Sequence, residues 1–177
     1  MNKQDKIGSK INLIKLPSNT SIQFELDAEV DWVRDFLLEM NENATDKSAE
    51  EYLKETSLFI TGEMEKKNKP DLGEYLLVSG TIESDYVTEC VRTLKPMTMQ
   101  LDIPFKIIFM DESFATSELF SEIDETYVDN DVYQIYFYNK RTIEFKEMLH
   151  EQIFLNYEQY PVLDADSKLE GVDSDPT

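Results

Sequence analysis

Seven apolar side chains at alternate positions, Met97, Met99, Leu101, Ile103, Phe105, Ile107 and Phe109, leave the segment Met97–Met110 one regular conformation. It is a long strand with one face in a core. Pro104 interrupts it, and a residue without an N–H implies a bulge or an open edge at that point. A strand of this length needs partners, and two-residue periodicity returns elsewhere in the chain. Leu58 and Ile60 lead into a polar turn, Asn68–Gly73, and a return strand, Glu74–Glu83. Tyr86–Cys90 reads as a further strand, joined to Met97 through Val91–Pro96. Ile22–Leu26 alternates cleanly, Val132–Phe137 has strand character, and Lys10–Leu16 alternates weakly up to Pro17.

Two segments change the period to three and four. With Asp27 as a candidate N-cap, Val30, Val33 and Leu37, flanked by Trp32, Phe36 and Met40, mark one face of a helix running to about Glu42. Phe145, Met148, Leu149, Gln152 and Ile153 mark a second, over roughly Glu144–Tyr157. Between them, Asn41–Glu51 reads as a mobile linker with a helical turn near Ala49–Leu53. Asp111–Asp131 contains eight carboxylates and no Lys or Arg, interleaved with Phe114, Leu119, Phe120 and Tyr127, and reads as a mobile acidic loop. The expected fold is α+β: a curved antiparallel β-sheet of about six to eight strands with two amphipathic helices packed on it. One domain over residues 1–165 accommodates these elements, and the acidic, apolar-poor residues 166–177 read as a disordered tail.

The 17 basic and 37 acidic residues give a net charge of −20. A protein that grips nucleic acid neutralises phosphates with Lys and Arg, whereas most of this surface repels a polyanion. Basic partners suit it better. Lys3, Lys6, Lys10 and Lys15, and the group Lys66, Lys67 and Lys69, read as solubilising local patches. No run approaches the ~20 apolar residues of a membrane span, and the amino terminus lacks a signal-peptide block, so the expectation is a cytoplasmic protein that does not enter a membrane.

Chemistry-bearing motifs are sparse. There is no glycine-rich phosphate loop among the five glycines and no histidine-bearing zinc pattern. The single cysteine, Cys90, stands three residues before Thr93, so the turn Val91–Pro96 has half of a Cys-x-x-Cys pair. Arg92 and Lys95 lie close enough in sequence to activate its thiol, but a small packed residue is the simpler reading. His150 falls off the apolar stripe of its helix and should sit at a rim. Tyr133–Tyr138 offers rings for base stacking, although core packing and cross-strand pairing account for them. Neighbouring acids such as Asp111-Glu112 and Asp124-Glu125 are too abundant to identify a catalytic dyad. No cofactor is implied.

The segment Glu89-Cys90-Val91-Arg92-Thr93-Leu94-Lys95-Pro96 resembles the Glu-Cys-x-Arg-Cys-Leu-x-Pro signature of the YceD-like family, described as large ribosomal RNA accumulation proteins. Glu151, Leu155 and Pro161 resemble that family's C-terminal pattern, with Glu158 at the place of its first proline. An Ile-x-Leu strand, Ile11–Leu13, and a Gly-x-Tyr-x-x-Val-x-Gly strand, Gly73–Gly80, agree, so the resemblance spans roughly residues 10–164. Thr93 occupies the place of the second cysteine, and the tail has no cysteine pair, so metal binding is not carried over.

What the resemblance implies is a non-catalytic factor in large-subunit ribosomal RNA accumulation or ribosome assembly. With the charge, it points to a basic ribosomal protein or assembly intermediate as partner. Candidate partner-binding residues are Arg92, Lys95, Asp111, Glu112, Glu118, Glu122, Asp124 and Glu125. Two alternatives stay open: direct RNA binding through Arg92, Lys95, Lys140 and Arg141 if the fold gathers them on one face, and an unrecognised hydrolase acting on RNA or nucleotides. Oligomeric state is not legible.

Overall fold

The computed structural model describes residues 7–158 and 160–163; the tail expected at 166–177 and the cations Lys3 and Lys6 lie outside the described residues. Eight strands form among them: β1 (Ile11–Asn12), β2 (Ser21–Asp27), β3 (Ser57–Lys69), β4 (Gly73–Glu89), β5 (Pro96–Asp111), β6 (Glu125–Val128), β7 (Asp131–Tyr138) and β8 (Thr142–Ile143). Two helices, α1 (Asp31–Asn41) and α2 (Phe145–Leu155), pack on the sheet. Six strands build that sheet in the order β2-β3-β4-β5-β7-β6, while β1 and β8 pair separately. The fold is α+β.

The long alternation is β5, and its odd residues Leu101 to Phe109 enter the main core. They meet Leu76, Val78, Ile82 and Tyr86 of β4, the stripe Val33, Phe36, Leu37 and Met40 of α1, and Phe145, Met148, Leu149 and Ile153 of α2. Ile108 and Met110 point the other way, into a second cluster with Tyr75, Leu77 and Val128. Both faces of that end are therefore covered, which is why the strand closes on an unbroken apolar run. β7 joins β5 only from Ile107 onward, so Pro104 lies where that flank is open. No ladder bond is demanded of it there.

Several local readings are corrected. β4 is one strand of 17 residues where two were expected, because buried Ser84 keeps the alternation and donates its hydroxyl to the Ser57 carbonyl at 2.7 Å. β5 and β7 run parallel, since the acidic segment and β6 intervene and β6–β7 is the hairpin. Asp27 does not cap α1; its carboxylate accepts the Glu29 N–H at 2.8 Å, and Val30 takes the N-cap position. Only Ile11–Asn12 of the expected first strand is extended, because the Asn12 side chain accepts the Ile14 N–H and turns the chain into a 3-10 turn that buries Leu13. The expected turn in the linker is a 3-10 turn at Glu51–Lys54.

Gly62 and Gly80 face each other across β3 and β4, with Phe24 and Phe105 flanking them on β2 and β5. The two rings lie over the glycines, filling space that side chains would otherwise occupy. Phe24 in turn meets Phe145 edge-on at 5.5 Å, tying the row to the start of α2.

Burial pushes the Tyr86 phenol up to about 12, with Tyr157 adding to the effect, and burial does the same to Tyr136. A folded pKa above the unfolded value near 10 means that each phenol's contribution to stability is complete below pH ~10 and is lost as pH climbs through about 12. Ultraviolet titration should therefore show late tyrosine ionisation in step with loss of near-ultraviolet circular dichroism between about pH 10 and 12. Ionisation of every tyrosine near pH 10 with the fold intact would contradict this.

Candidate functional site

The β4–β5 turn is built by its own backbone and by the segment that follows α2. Cys90 N–H donates to the Lys95 carbonyl and Leu94 N–H to the Cys90 carbonyl, both at 2.9 Å, with Leu94 left-handed at φ 57°. Such a conformation costs a non-glycine residue about 1 kcal/mol or more, so the turn is held by its surroundings. Val91 N–H donates to the Pro161 carbonyl at 3.0 Å, which lays the C-terminal pattern against the central signature.

Cys90 is fully buried. The Thr93 hydroxyl, then the Leu163 amide and the amides of Thr93 and Arg92, hydrogen-bond its sulphur and hold the thiol below its ordinary pKa, while burial opposes them. Donors thus converge on the sulphur, with Thr93 standing where the resemblance places a second cysteine. Burial limits reagent access, in keeping with a packed residue. Arg92, Lys95, Glu151 and Leu155 are exposed, and Pro161 is buried. Among the described residues, no group of three or more His, Cys, Asp or Glu side chains is arranged to hold a metal ion.

The acidic segment starts at the far end of the same hairpin. Asp111 accepts the Ser113 N–H at 2.9 Å and caps a 3-10 turn, Glu112–Thr116. Phe114 and Phe120 meet edge-on at 5.9 Å and pack on the second cluster. The Asp124 carbonyl accepts the Ile135 N–H at 2.8 Å, and Glu125 opens β6. The expected loop is therefore anchored at several points, because Phe114 and Phe120 have apolar surface to cover. Its carboxylates point outward: Glu112, Glu118, Glu122, Asp124 and Glu125 are all exposed and form no ion pair among the described residues. Leu119 is 76% exposed and Ile123 43%, so apolar and acidic groups share this surface. The nearby Asp129 and Asp131 differ, pairing with Lys67 at 3.8 Å and Lys106 at 3.2 Å.

The four cations of the direct RNA reading are not gathered. Arg92 and Lys95 follow the C-terminal end of β4, whereas Arg141 pairs at 4.0 Å with Glu74 at its N-terminal end, and Lys140 is next to Arg141. The length of β4, roughly 50 Å of extended chain, runs between the two pairs. The same separation divides Arg92 and Lys95 from the acidic segment. The aromatic strand is largely structural: Tyr133 and Ile135 pack on the second cluster, Tyr136 on the main core, and the Tyr138 hydroxyl donates to the Glu74 carbonyl at 2.6 Å. His150 sits at the helix rim, its Nε2 2.9 Å from Glu39 Oε2 and its ring 4.4 Å from that of Phe154.

Sequence reading missed one surface. Strand register places Asp27, Phe59, Glu83 and Asp102 in a single row on the helix-free face of the sheet. Glu83 lies directly opposite Asp102, a destabilising like-charge pair, and Phe59 is 51% exposed. The available signal was an acid at successive polar positions of β2 and β4.

No helix among the described residues is long and apolar enough to cross a membrane. The sequence pattern of the family described as large ribosomal RNA subunit accumulation protein YceD matches residues 78–176, more than half of the 177 residues. No curated protein and no solved structure matches.

Proposed function

The chain belongs to the family of large ribosomal RNA subunit accumulation protein YceD, and from that membership we propose that it supports large-subunit RNA accumulation without catalysing a reaction, by holding a basic ribosomal protein or an assembly intermediate containing one. The contact is the segment Asp111–Glu125, and the cytoplasm is where it works. The observation that carries this reading is that Glu112, Glu118, Glu122, Asp124 and Glu125 form no ion pair among the described residues and stand beside exposed Leu119 and Ile123. Clustered carboxylates without cations repel one another, and a Lys- or Arg-rich surface relieves that repulsion while the apolar residues add area. Anchoring by Phe114 and Phe120 reduces the ordering cost of binding. Arg92 and Lys95, at the other end of the hairpin, serve as a separate contact for RNA phosphates within the same intermediate.

Titration with purified basic large-subunit proteins tests the proposal. Binding is expected to weaken at least tenfold between about 50 and 300 mM salt, because exposed charges are screened over that range. A gel-shift titration with large-subunit RNA alone is expected to show no tight complex. Tight, salt-sensitive RNA binding by the isolated protein would overturn the acidic-holder reading in favour of direct RNA recognition.

A further inference from the structure

Strand β2 closes one side of the sheet, and only β3 pairs with it, in register from Ser21 opposite Glu65 to Asp27 opposite Phe59. Its outer flank offers backbone donors and acceptors with no strand partner among the described residues. A groove of about 530 Å³ runs along this flank to the start of α1, lined by residues including Phe24, Glu25, Asp27, Glu29 and Trp32. Trp32 is half-buried, packing edge-on against Phe36 at 5.8 Å and Phe145 at 6.3 Å while its indole also lines the groove. Glu25, Asp27 and Glu29 form no ion pair among the described residues, whereas Asp31, also in the lining, is held by Arg34.

We propose that this edge receives an extended Lys- or Arg-bearing segment of a basic partner, which adds to β2 as a further strand. Three features point to that occupant. An open edge supplies main-chain hydrogen bonds to any extended chain. The carboxylates then select a cationic one, and Trp32 provides a ring on which an apolar stem or a cation rests. Edge strands are usually protected against unwanted pairing by Lys or Pro, but Ser21–Asp27 contains neither. Glu25 and Asp27 discourage pairing with a second copy of the same acidic edge and leave a basic strand welcome. The inference rests on the reading that the partner is basic, and it adds a contact at the opposite edge of the sheet from β6 and the acidic segment.

The chain has one tryptophan, so Trp32 emission reports occupancy directly. The full chain is titrated with a ten-residue peptide of alternating lysine and valine. The comparison peptides replace lysine by glutamate, or carry N-methyl groups on alternate backbone amides. A saturable emission change is expected with the lysine peptide and none with the glutamate peptide. N-methylation of the bonding edge should weaken binding at least tenfold, as should the double variant Glu25→Gln/Asp27→Asn. Glu50→Gln/Glu51→Gln, exposed carboxylates outside both the groove lining and the acidic segment, should leave the affinity within twofold. Equal affinity for the methylated peptide would overturn the added-strand geometry, because charge attraction alone ignores the backbone. Loss of binding only in Glu118→Gln/Glu122→Gln would move the contact to the acidic segment and overturn the groove. Failure with all peptides would also overturn it, while leaving the salt-dependent capture of a basic ribosomal protein as a separate result.

Discussion

Gly80→Ala is expected to lower the stability of the fold by about 3 kcal/mol, a large part of the ~5–15 kcal/mol that holds a typical domain together. A Cβ at Gly80 would lie 2.1 Å from the Thr61 carbonyl oxygen, 2.9 Å from the Gly62 Cα and 3.0 Å from the Phe105 ring. The first two are backbone atoms of the neighbouring strand, so no rotamer change relieves them. Strand β3 must move, and with it the row that ties Phe24 to Phe145 and α2. Gly73→Ala is the control. That residue has φ +66° but nothing within 4 Å of an added Cβ, so only conformational strain of about 1 kcal/mol is expected. Urea denaturation separates the two, with a midpoint shift near 1.5 M expected for Gly80→Ala. A Gly80→Ala midpoint no lower than that of Gly73→Ala would show that the sheet accommodates the methyl group and that the described row is wrong.

Neutralising the acidic segment should weaken partner binding while leaving the fold intact. Glu112→Gln, Glu118→Gln, Glu122→Gln, Asp124→Asn and Glu125→Gln together remove five charges from exposed side chains that form no ion pair among the described residues. Each exposed charge contributes little by itself, on the order of 0.2–1 kcal/mol against a basic surface. Five acting together therefore correspond to about 1–5 kcal/mol, a loss of about fivefold or more in affinity, and the on-rate should carry much of it. Thermal stability should stay level or rise, since mutual repulsion is removed. Leu119→Ser, which alters apolar contact alone, is expected to weaken binding without changing its salt dependence.

Most of the architecture was legible because most strands and both helices bury one face. The alternation of β5 and the stripe Val33, Phe36, Leu37 and Met40 needed no tertiary information. β4 was divided because Glu83-Ser84-Asp85 looks like a turn in isolation; in the sheet Ser84 points inward and satisfies its hydroxyl on Ser57, while its neighbours face outward. The parallel pairing of β5 and β7 has no local signature, since either direction buries the same rings. At the signature turn, sequence identified the residues but not their arrangement. The convergence of Thr93 and Leu163 on Cys90 depends on the chain returning after α2. The acidic segment was recognised by charge, but its anchoring by Phe114 and Phe120 appears only with the second cluster. The β2 groove was hidden because Trp32 reads as a core residue, and it does pack against the main core through Phe36 and Phe145.

The most direct measurement is large-subunit ribosomal RNA in cells from which this gene has been deleted, complemented either by the unaltered chain or by the five-carboxylate variant at equal protein level. The proposed function predicts that the unaltered chain restores the RNA and that the variant, though folded, does not. Full restoration by the variant would contradict it, because the acidic segment would then have no part in the function.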